Sequence, residues 1–174
     1  MTGLSGAGKT TLAESSRLSL EQQGYAVGLI DGDVYRKTLC SDLGFSRADR
    51  VENIRRLGQI GLQLVQSNTI TFIAAINPYE ESREEIRRLP VTTKTLWVDC
   101  RMDVLQKRDT KGLYRRAQLP SGHPDRIENL TGVNDPFEFP VNYDWKIETS
   151  EEEVTISANK LTNLILGVVT GLNR

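Results

Sequence analysis

The chain has 174 residues, a length typical of one domain, and a chain of this size buries about 70% of its unfolded surface without needing a disulfide or a structural metal. Its 22 basic and 23 acidic residues give a formal net charge of -1, which argues against a general binding surface for nucleic acid or another polyanion. Cys40 and Cys100 are too few for a disulfide framework and no stretch approaches the ~18 apolar residues of a membrane span, so we expect a cytoplasmic protein of one domain with no membrane partner.

Apolar runs of strand length alternate with longer stretches of helical periodicity. The candidate strands are rich in Val, Ile, Leu, Phe and Trp and show little period-two alternation, which is typical of strands buried on both faces of a parallel sheet. They are Ala26–Ile30, Thr69–Ala75, Thr95–Asp99 and Trp145–Glu148. The helical patterns are Lys9–Gln23, Ser46–Ser67, Tyr79–Arg88, Met102–Arg108 and a last one from about Ser150 to Val169. This alternation predicts a three-layer α/β fold with helices on both faces of a mainly parallel sheet.

Local signals mark helix starts and one long loop. Ser46 with Asp49 resembles a capping box in which Asp replaces the usual Glu, and Ser150 with Glu153 has the spacing of a second one. The stretch 119–140 differs, because it contains four prolines and little apolar periodicity. About 20 residues without regular structure in a compact domain usually form a functional loop, so we predict a lid over approximately 109–140.

One motif decides the class of protein. Residues 3–10 read G-L-S-G-A-G-K-T and fit the phosphate-binding pattern G-x-x-x-x-G-K-[ST], for which a random match in a chain of this length has odds below about 1%. The glycines let successive backbone N–H groups turn toward one centre, and the following helix directs its N-terminus at the same point. In this pattern Lys9 reaches the β- and γ-phosphates and the Thr10 hydroxyl ligates Mg²⁺. The nearest match to the guanine-reading N-K-x-D segment, at 159–162, lacks the Asp and lies inside the last helix, so a nucleotide or small-molecule kinase is favoured over a GTPase.

The start of the chain departs from the fold that this motif implies. A buried strand normally leads into the loop, but only Met1 and Thr2 precede Gly3. Four or five buried apolar residues contribute about 1.5–3 kcal/mol each, which is comparable to the ~5–15 kcal/mol net stability of a domain. We therefore expect that the first strand is missing or truncated and that Met1 is a misplaced or internal start.

Charged residues suited to a phosphate site follow the loop. Asp31 and Asp33 end the first predicted strand, where two carboxylates suit Mg²⁺ and its waters or the deprotonation of an attacking hydroxyl, although Asp is equally suited to a helix N-cap. Arg36 lies one helical turn further on, and Arg50 and Asn53 share a helix face. Arginines near a phosphate site match an anionic acceptor, but such charges also occupy solvated helix faces.

Together these residues resemble the adenylylsulfate kinase (APS kinase) family over nearly the whole chain. The distinctive segments are G-L-S-G-A-G-K-T-T-L-A at 3–13, D-G-D-x-x-R at 31–36, D-L-G-F-S-x-x-D-R-x-E-N-I-R-R at 42–56, I-x-P-[YF] at 76–79, R-D-x-K-G-L-Y at 108–114 and L-T-G-V at 130–133. The resemblance implies transfer of the γ-phosphoryl group of ATP, with Mg²⁺, to the 3′-hydroxyl of adenosine 5′-phosphosulfate (APS), giving the sulfate donor PAPS. It also implies a homodimer and a functional link to ATP sulfurylase.

The resemblance assigns residues to each part of the reaction. The implied catalytic residues are Lys9, Asp31, Asp33 and Lys111, and the implied metal ligands are Thr10, Asp31 and Asp33. Those implied to bind ATP are Gly3, Leu4, Ser5, Gly6, Ala7, Gly8, Lys9, Thr10 and Thr11 at the phosphates and Arg108 at the base. Those implied to bind the acceptor are Asp33, Arg36, Phe45, Arg50, Asn53, Ile76, Asn77, Lys111 and Leu130.

The chain departs from the family pattern around the acceptor. Ala75 and Asn77 stand in a pocket segment that usually reads F-I-S-P, and Asn77 cannot carry the phosphate that has been proposed for that Ser. Leu130 replaces a Phe that clamps the adenine of the acceptor, a loss of about 0.5–1.5 kcal/mol, and Pro120–Ile127 resembles an insertion in the lid. These departures leave two alternatives open: a related P-loop kinase for another nucleotide or small-molecule alcohol, and a non-catalytic nucleotide-binding paralogue.

We predict that a chain extended upstream by an apolar strand melts at a higher temperature than residues 1–174, because the added side chains would be buried in the sheet. Scanning calorimetry of the two proteins checks this. Equal melting temperatures would contradict the expectation of a truncated first strand.

Overall fold

Parallel strands form the centre of the fold in the computed structural model, which describes residues 1–67 and 70–171. The strands in this part of the chain are β1 (Val27–Asp31), β2 (Ile70–Ala74), β3 (Leu96–Asp99) and β4 (Trp145–Glu148). β1 pairs in parallel with β2, which places Leu29 opposite Phe72. β3 pairs in parallel with β4, which places Val98 opposite Ile147.

The segment 1–3 lies between these two pairs of strands and joins them. The nitrogens of its first and third residues lie 2.7 and 3.1 Å from the carbonyl oxygens of Ile73 and Ile76, on the β2 side. Its middle residue donates to the Leu96 carbonyl and accepts from the Val98 N–H, each at 2.9 Å, on the β3 side. The order across the sheet is therefore β1, β2, segment 1–3, β3, β4, and three residues occupy the position where a truncated strand was expected.

Helices cover both faces of this sheet. They are α1 (Lys9–Gln22), α2 (Gly32–Arg36), α3 (Arg47–Val65), α4 (Glu80–Arg87), α5 (Met102–Arg108), α6 (Leu113–Ala117) and α7 (Val154–Val169). Alternate strand residues serve opposite faces: Leu29 and Phe72 belong to the larger core under α1 and α7, whereas Ile30 and Ile73 belong to a second core under α3. The predicted three-layer α/β fold is confirmed.

Most predicted elements lie within a few residues of the observed ones. The capping box of α3 is present, since the Ser46 hydroxyl accepts from the Asp49 N–H at 3.2 Å while the Asp49 carboxylate accepts from the Ser46 N–H at 3.3 Å. The second capping box is wrong: α7 begins at Val154 after an N-cap residue without a side-chain cap, and the Ser150 hydroxyl contacts Glu148 instead. The predicted start of the second strand, Thr69, lies outside the described residues.

Two short helices and one long loop connect the longer elements. α2 and α6 were not predicted, because five residues are too few to display a helical period. From 118 to 144 the chain forms neither helix nor strand, in agreement with the expected long loop. No helix in the described part of the chain is long and apolar enough to cross a membrane.

We predict that Gly3→Ala destabilises the protein by about 3–5 kcal/mol, because backbone strain and overpacking add. Gly3 has a φ of +149°, and a Cβ there would lie 2.2 Å from the Val98 carbonyl oxygen. Gly24→Ala is the matched control, since Gly24 also has a positive φ (+89°) but open space around it, so only the strain of about 1–2 kcal/mol applies. Urea unfolding of both variants measures the difference, and equal losses would show that the Val98 carbonyl is not the constraint.

Candidate active site

The loop that follows the central segment has the backbone that anion binding requires. Gly6 and Gly8 adopt φ values of +78° and +92°, a region that residues with a Cβ rarely enter. Gly8 is also the N-cap residue of α1. Such a turn directs successive N–H groups toward one point in front of the helix N-terminus, where an anion is stabilised.

Lys9 is the buried cation of this loop. Its ammonium group donates to the carbonyl oxygens of Gly3 and Leu4 at 2.9 and 2.8 Å. Burial lowers the pKa of Lys9 to about 8, and the positive charge of Lys111 adds to this effect while nearby carboxylates oppose it. The ammonium group therefore stays mostly protonated at neutral pH, and an anion that approached it would stabilise the charged form.

Asp31 serves as both helix cap and site carboxylate. It stands at the end of β1, where its side chain accepts from the N–H groups of Asp33 and Val34 at 2.7 and 3.2 Å and caps α2. The same carboxylate accepts from the Thr10 hydroxyl at 2.6 Å. Burial raises the pKa of Asp31, but these hydrogen bonds and the charge of Lys111 outweigh it and hold the pKa below its usual value. The N-cap interpretation of Asp31 is confirmed, and its role toward Mg²⁺ or an attacking hydroxyl stays a prediction.

Asp33 and Lys111 form an ion pair across the site. Lys111 belongs to the turn between α5 and α6, and its ammonium group contacts the Asp33 carboxylate, 78 residues away in sequence. Both line a cavity of about 170 Å³ at the carboxyl ends of the strands. Its lining consists of Ser5, Gly6, Gly8, Lys9, Thr10, Thr11, Asp31, Asp33, Ala74, Ala75, Ile76, Thr110 and Lys111. A larger apolar cavity of about 250 Å³ lies at the amino ends of the strands and is lined by no carboxylate, so it is not the candidate site.

Four of the predicted acceptor residues form a second cluster. The guanidinium groups of Arg36 and Arg50 lie 5.0 and 5.4 Å from the centre of the half-exposed Phe45 ring. Arg50 is buried and forms an ion pair with Asp135 at 2.9 Å. Asn53 is 5% exposed, and its carbonyl oxygen accepts no hydrogen bond from the part of the chain that the structure describes. None of the four lines the 170 Å³ cavity, so they form a separate region of the site.

Asn77 and Leu130 are placed differently from the other predicted acceptor residues. Asn77 has a φ of +46°, and its side-chain oxygen accepts from the Ser82 hydroxyl at 2.6 Å, which turns the carboxamide toward α4. Leu130 is 5% exposed and packs in the larger hydrophobic core. Ile76, by contrast, lines the 170 Å³ cavity beside the phosphate-binding loop, and its predicted contact with the acceptor stays a prediction.

Arg108 also has structural partners. Its guanidinium group donates to the carbonyl oxygens of Thr149 and Ser150 at 2.6 and 3.2 Å. It therefore connects the end of α5 to the segment that follows β4, at the same edge of the sheet as the loop.

Sequence reasoning assigned no role to Asp135, Tyr114 or Thr149, each of which contacts a site residue. The signals were present: Asp135 follows the T-G-V segment, and Tyr114 ends the R-D-x-K-G-L-Y motif. Thr149 directly follows β4, and side chains just after the carboxyl ends of parallel strands are commonly found at binding sites.

The donor set suits a hard divalent cation. Among residues 1–67 and 70–171 no group of three or more His, Cys, Asp and Glu side chains is arranged to hold a metal. Thr10, Asp31 and Asp33 offer only oxygen atoms, and Mg²⁺ is typically held by one or two carboxylates together with waters and substrate phosphates. These residues fit Mg²⁺ and do not resemble a zinc site.

The chain is similar in sequence and in structure to known adenylylsulfate kinases. The profile of the adenylylsulphate kinase family matches residues 1–148. The adenylyl-sulfate kinase of Microcystis aeruginosa is 41% identical over 168 residues, which cover 94% of this chain and 90% of that relative. The structure of a Mycobacterium tuberculosis APS kinase in complex with AMPPNP and APS matches with a TM-score of 0.87 at 31% identity, covering 94% of each chain. A hexameric APS kinase from Thiobacillus denitrificans matches with a TM-score of 0.66 at 26% identity, covering 99% of this chain and 29% of that one.

Proposed function

This chain belongs to the adenylylsulfate kinase family, and from that premise we propose how its residues perform the reaction. The protein is an ATP-dependent kinase that transfers the γ-phosphoryl group of ATP to the 3′-hydroxyl of APS and releases ADP and PAPS. The observation that carries the proposal is the meeting of Lys9, Asp31, Asp33 and Lys111 around one cavity beside the phosphate-binding loop. Family membership favours this reaction over another acceptor or a non-catalytic role, the two alternatives that the departures at the acceptor pocket had left open.

The loop binds the phosphates of ATP in this proposal. Lys9 exchanges its two carbonyl partners for β- and γ-phosphate oxygens, which are stronger partners because they carry charge. Arg108 lies beside the adenine, held in place by the carbonyl groups of Thr149 and Ser150. Thr10, Asp31 and Asp33 would hold Mg²⁺, which when bound neutralises part of the triphosphate charge.

Asp33 and Lys111 act on the reacting groups. When both substrates are bound, the Lys111 ammonium group moves from Asp33 to the transferring phosphoryl group, whose equatorial oxygens carry the charge of the transition state. The freed Asp33 carboxylate accepts the proton of the 3′-hydroxyl as that oxygen bonds to the γ-phosphorus and the bond to ADP breaks. The ion pair thus keeps both groups in place and unreactive until substrate separates them.

The second cluster binds APS. Arg36 and Arg50 contact the phosphosulfate, Phe45 stacks on the adenine, and Asn53 supplies its unpaired carbonyl oxygen to a donor of the acceptor. Ile76 lines the cavity beside the phosphate-binding loop, where the 3′-hydroxyl end of APS would enter. Asn77 and Leu130 contribute indirectly, since their side chains hold the pocket segment and the lid against the protein.

Segment 109–140 acts as the lid of a single kinase domain in our proposal. It carries Lys111 at one end, and at the other the Glu138 N–H donates to the Pro78 carbonyl at 2.9 Å, next to the pocket segment. Closure would exclude water, which otherwise competes with the acceptor hydroxyl for the phosphoryl group.

We also propose a cytoplasmic homodimer that works with ATP sulfurylase as the source of APS. The free, buried Cys40 and Cys100 are compatible with a reducing compartment. Phe139 and Val141 are 65% and 76% exposed, an apolar edge that suits self-association. Sedimentation analysis of the wild type and of Val141→Asp tests the dimer.

The reaction is tested by ADP release from MgATP in the presence of APS, with AMP and no acceptor in parallel and PAPS identified by mass spectrometry. We expect APS-dependent release, and a fall in kcat/KM of about 10²–10³-fold for Lys9→Ala and of about 10²–10⁴-fold for Asp33→Asn. Lys160→Ala, an exposed lysine on α7, is the control and keeps wild-type activity. Release that does not depend on APS, or full activity of Lys9→Ala, would contradict the proposal.

We predict that nucleotide binding takes up a proton above pH 8. The pKa of Lys9 is about 8 in the free protein, and phosphate contacts raise it, so affinity for MgAMPPNP falls as the pH rises past that value. Calorimetry at pH 8.5 in buffers of different ionisation enthalpy should report between about half and one proton taken up, and much less at pH 6.5. Lys111→Ala removes a positive charge that lowers this pKa, so its uptake at pH 8.5 should be smaller. Equal uptake at the two pH values would show that Lys9 does not titrate in this range.

A further inference from the structure

The carbonyl groups of the phosphate-binding loop have buried partners in distant parts of the chain. A loop whose N–H groups face a phosphate must turn its carbonyl oxygens away from it, and each buried oxygen then needs a donor. The Ser5 carbonyl accepts from the Tyr114 hydroxyl at 2.7 Å, and the Ala7 carbonyl from the Thr149 hydroxyl at 2.9 Å. The two donors are 109 and 142 residues away from their acceptors, so the loop is held from outside its own segment.

Tyr114 connects the loop to the turn that carries Lys111. It lies on α6 and is 3% exposed. The Asp109 carboxylate accepts from the N–H groups of Tyr114 and Arg115 at 2.9 and 3.0 Å, which closes the turn containing Lys111 onto the helix. Burial raises the pKa of Tyr114, so its hydroxyl keeps the proton that it donates to Ser5.

Thr149 connects the same loop to the sheet. It is 6% exposed, and its hydroxyl proton is shared between the carbonyl oxygens of Ala7 and Asp99, which lie 2.9 and 3.0 Å away. The Thr149 carbonyl in turn accepts from Arg108. The loop is thereby tied to the ends of both β3 and β4.

The ammonium group of Lys9 also donates to loop carbonyls, but only while no nucleotide is bound in the proposed reaction. In the free protein it satisfies the carbonyls of Gly3 and Leu4, but in the proposed reaction it turns to the phosphates. Tyr114 and Thr149 do not line the cavity and have no such second task. They are therefore the side chains that keep carbonyl oxygens out of the phosphate site once nucleotide is bound.

We propose that Tyr114 and Thr149 are positioning residues that hold the N–H groups of the loop toward the phosphates of ATP, and that Tyr114 also sets the distance between the loop and Lys111. The inference rests on the proposed function for the identity of the nucleotide. It predicts a defect on the ATP side of the reaction that spares the binding of APS, whose cluster lies elsewhere.

The test uses substitutions that remove or keep single hydroxyl groups. Tyr114→Phe and Thr149→Val should each raise the KM for MgATP about tenfold and leave the KM for APS within about twofold, because each leaves one buried carbonyl unpaired. Tyr114→Phe should in addition lower kcat about three- to tenfold, since Lys111 is less well placed. Thr149→Ser keeps the hydroxyl and should restore the wild-type KM within about twofold. Tyr143→Phe, at an exposed tyrosine beside Trp97, is the matched control and should change nothing.

Melting temperatures and MgAMPPNP binding by calorimetry separate the possible results. A lowered melting temperature with an unchanged KM for MgATP, or equal rises in both KM values, would overturn the proposal and leave a structural role only. Failure of Thr149→Ser to restore the KM would overturn it for Thr149. If the wild type does not phosphorylate APS but Tyr114→Phe still weakens MgAMPPNP binding about tenfold, the proposed acceptor is wrong and the positioning role stands.

Discussion

The site depends on one crossing of the backbone, where the chain leaves the centre of the sheet at Gly3 and enters the loop. The segment 1–3 pairs with β2 on one side and β3 on the other, so the loop must begin at the carboxyl edge of both strands. Gly3 passes so close to the Val98 carbonyl that no side chain fits. Because the strands are parallel, Asp31 and the segment after β2 end at this same edge. The loop, the carboxylates and the pocket segment meet there for a topological reason, before any contact between side chains is considered.

Charge in the site is balanced internally when no substrate is bound. Lys9 interacts with loop carbonyls, Lys111 with Asp33, and Asp31 with Thr10 and the start of α2. Each of these contacts keeps a charged side chain in place, and hydrogen bonds to carbonyl or hydroxyl groups offset part of the cost of burying the charge. The carbonyl groups of Gly3 and Leu4 thus stabilise a lysine whose pKa burial lowers to about 8, and in the proposed reaction the phosphates would replace them as its partners.

The departures from the family pattern have a structural explanation. Asn77 occupies a left-handed backbone conformation, which Asn tolerates better than most residues with a Cβ. Its side chain pairs with the buried Ser82, and its carbonyl accepts from the fully buried Arg83 at 2.9 Å. Asn at this position thus stabilises the pocket segment from behind. Leu130 packs in the larger hydrophobic core and does not offer a flat surface for stacking. This packing fixes the start of the T-G-V segment.

Much of this protein was determined by the sequence alone. The loop motif, the order of strands and helices, the capping box at Ser46 and the long irregular segment are all encoded in patterns of about ten residues, because propensity, periodicity and capping act between near neighbours. The resemblance to the family motifs identified four site residues that the fold brings together: Lys9, Asp31, Asp33 and Lys111. Only the tertiary structure decided three other features. These are the ion pair of Asp33 and Lys111, the hydrogen bonds that hold the loop to Tyr114 and Thr149, and the orientation of Asn77 and Leu130 away from the pocket. The ion pair and the two anchors join residues 78 to 142 positions apart, and such pairs are set by the spatial order of the strands across the sheet and by packing, which no local pattern records.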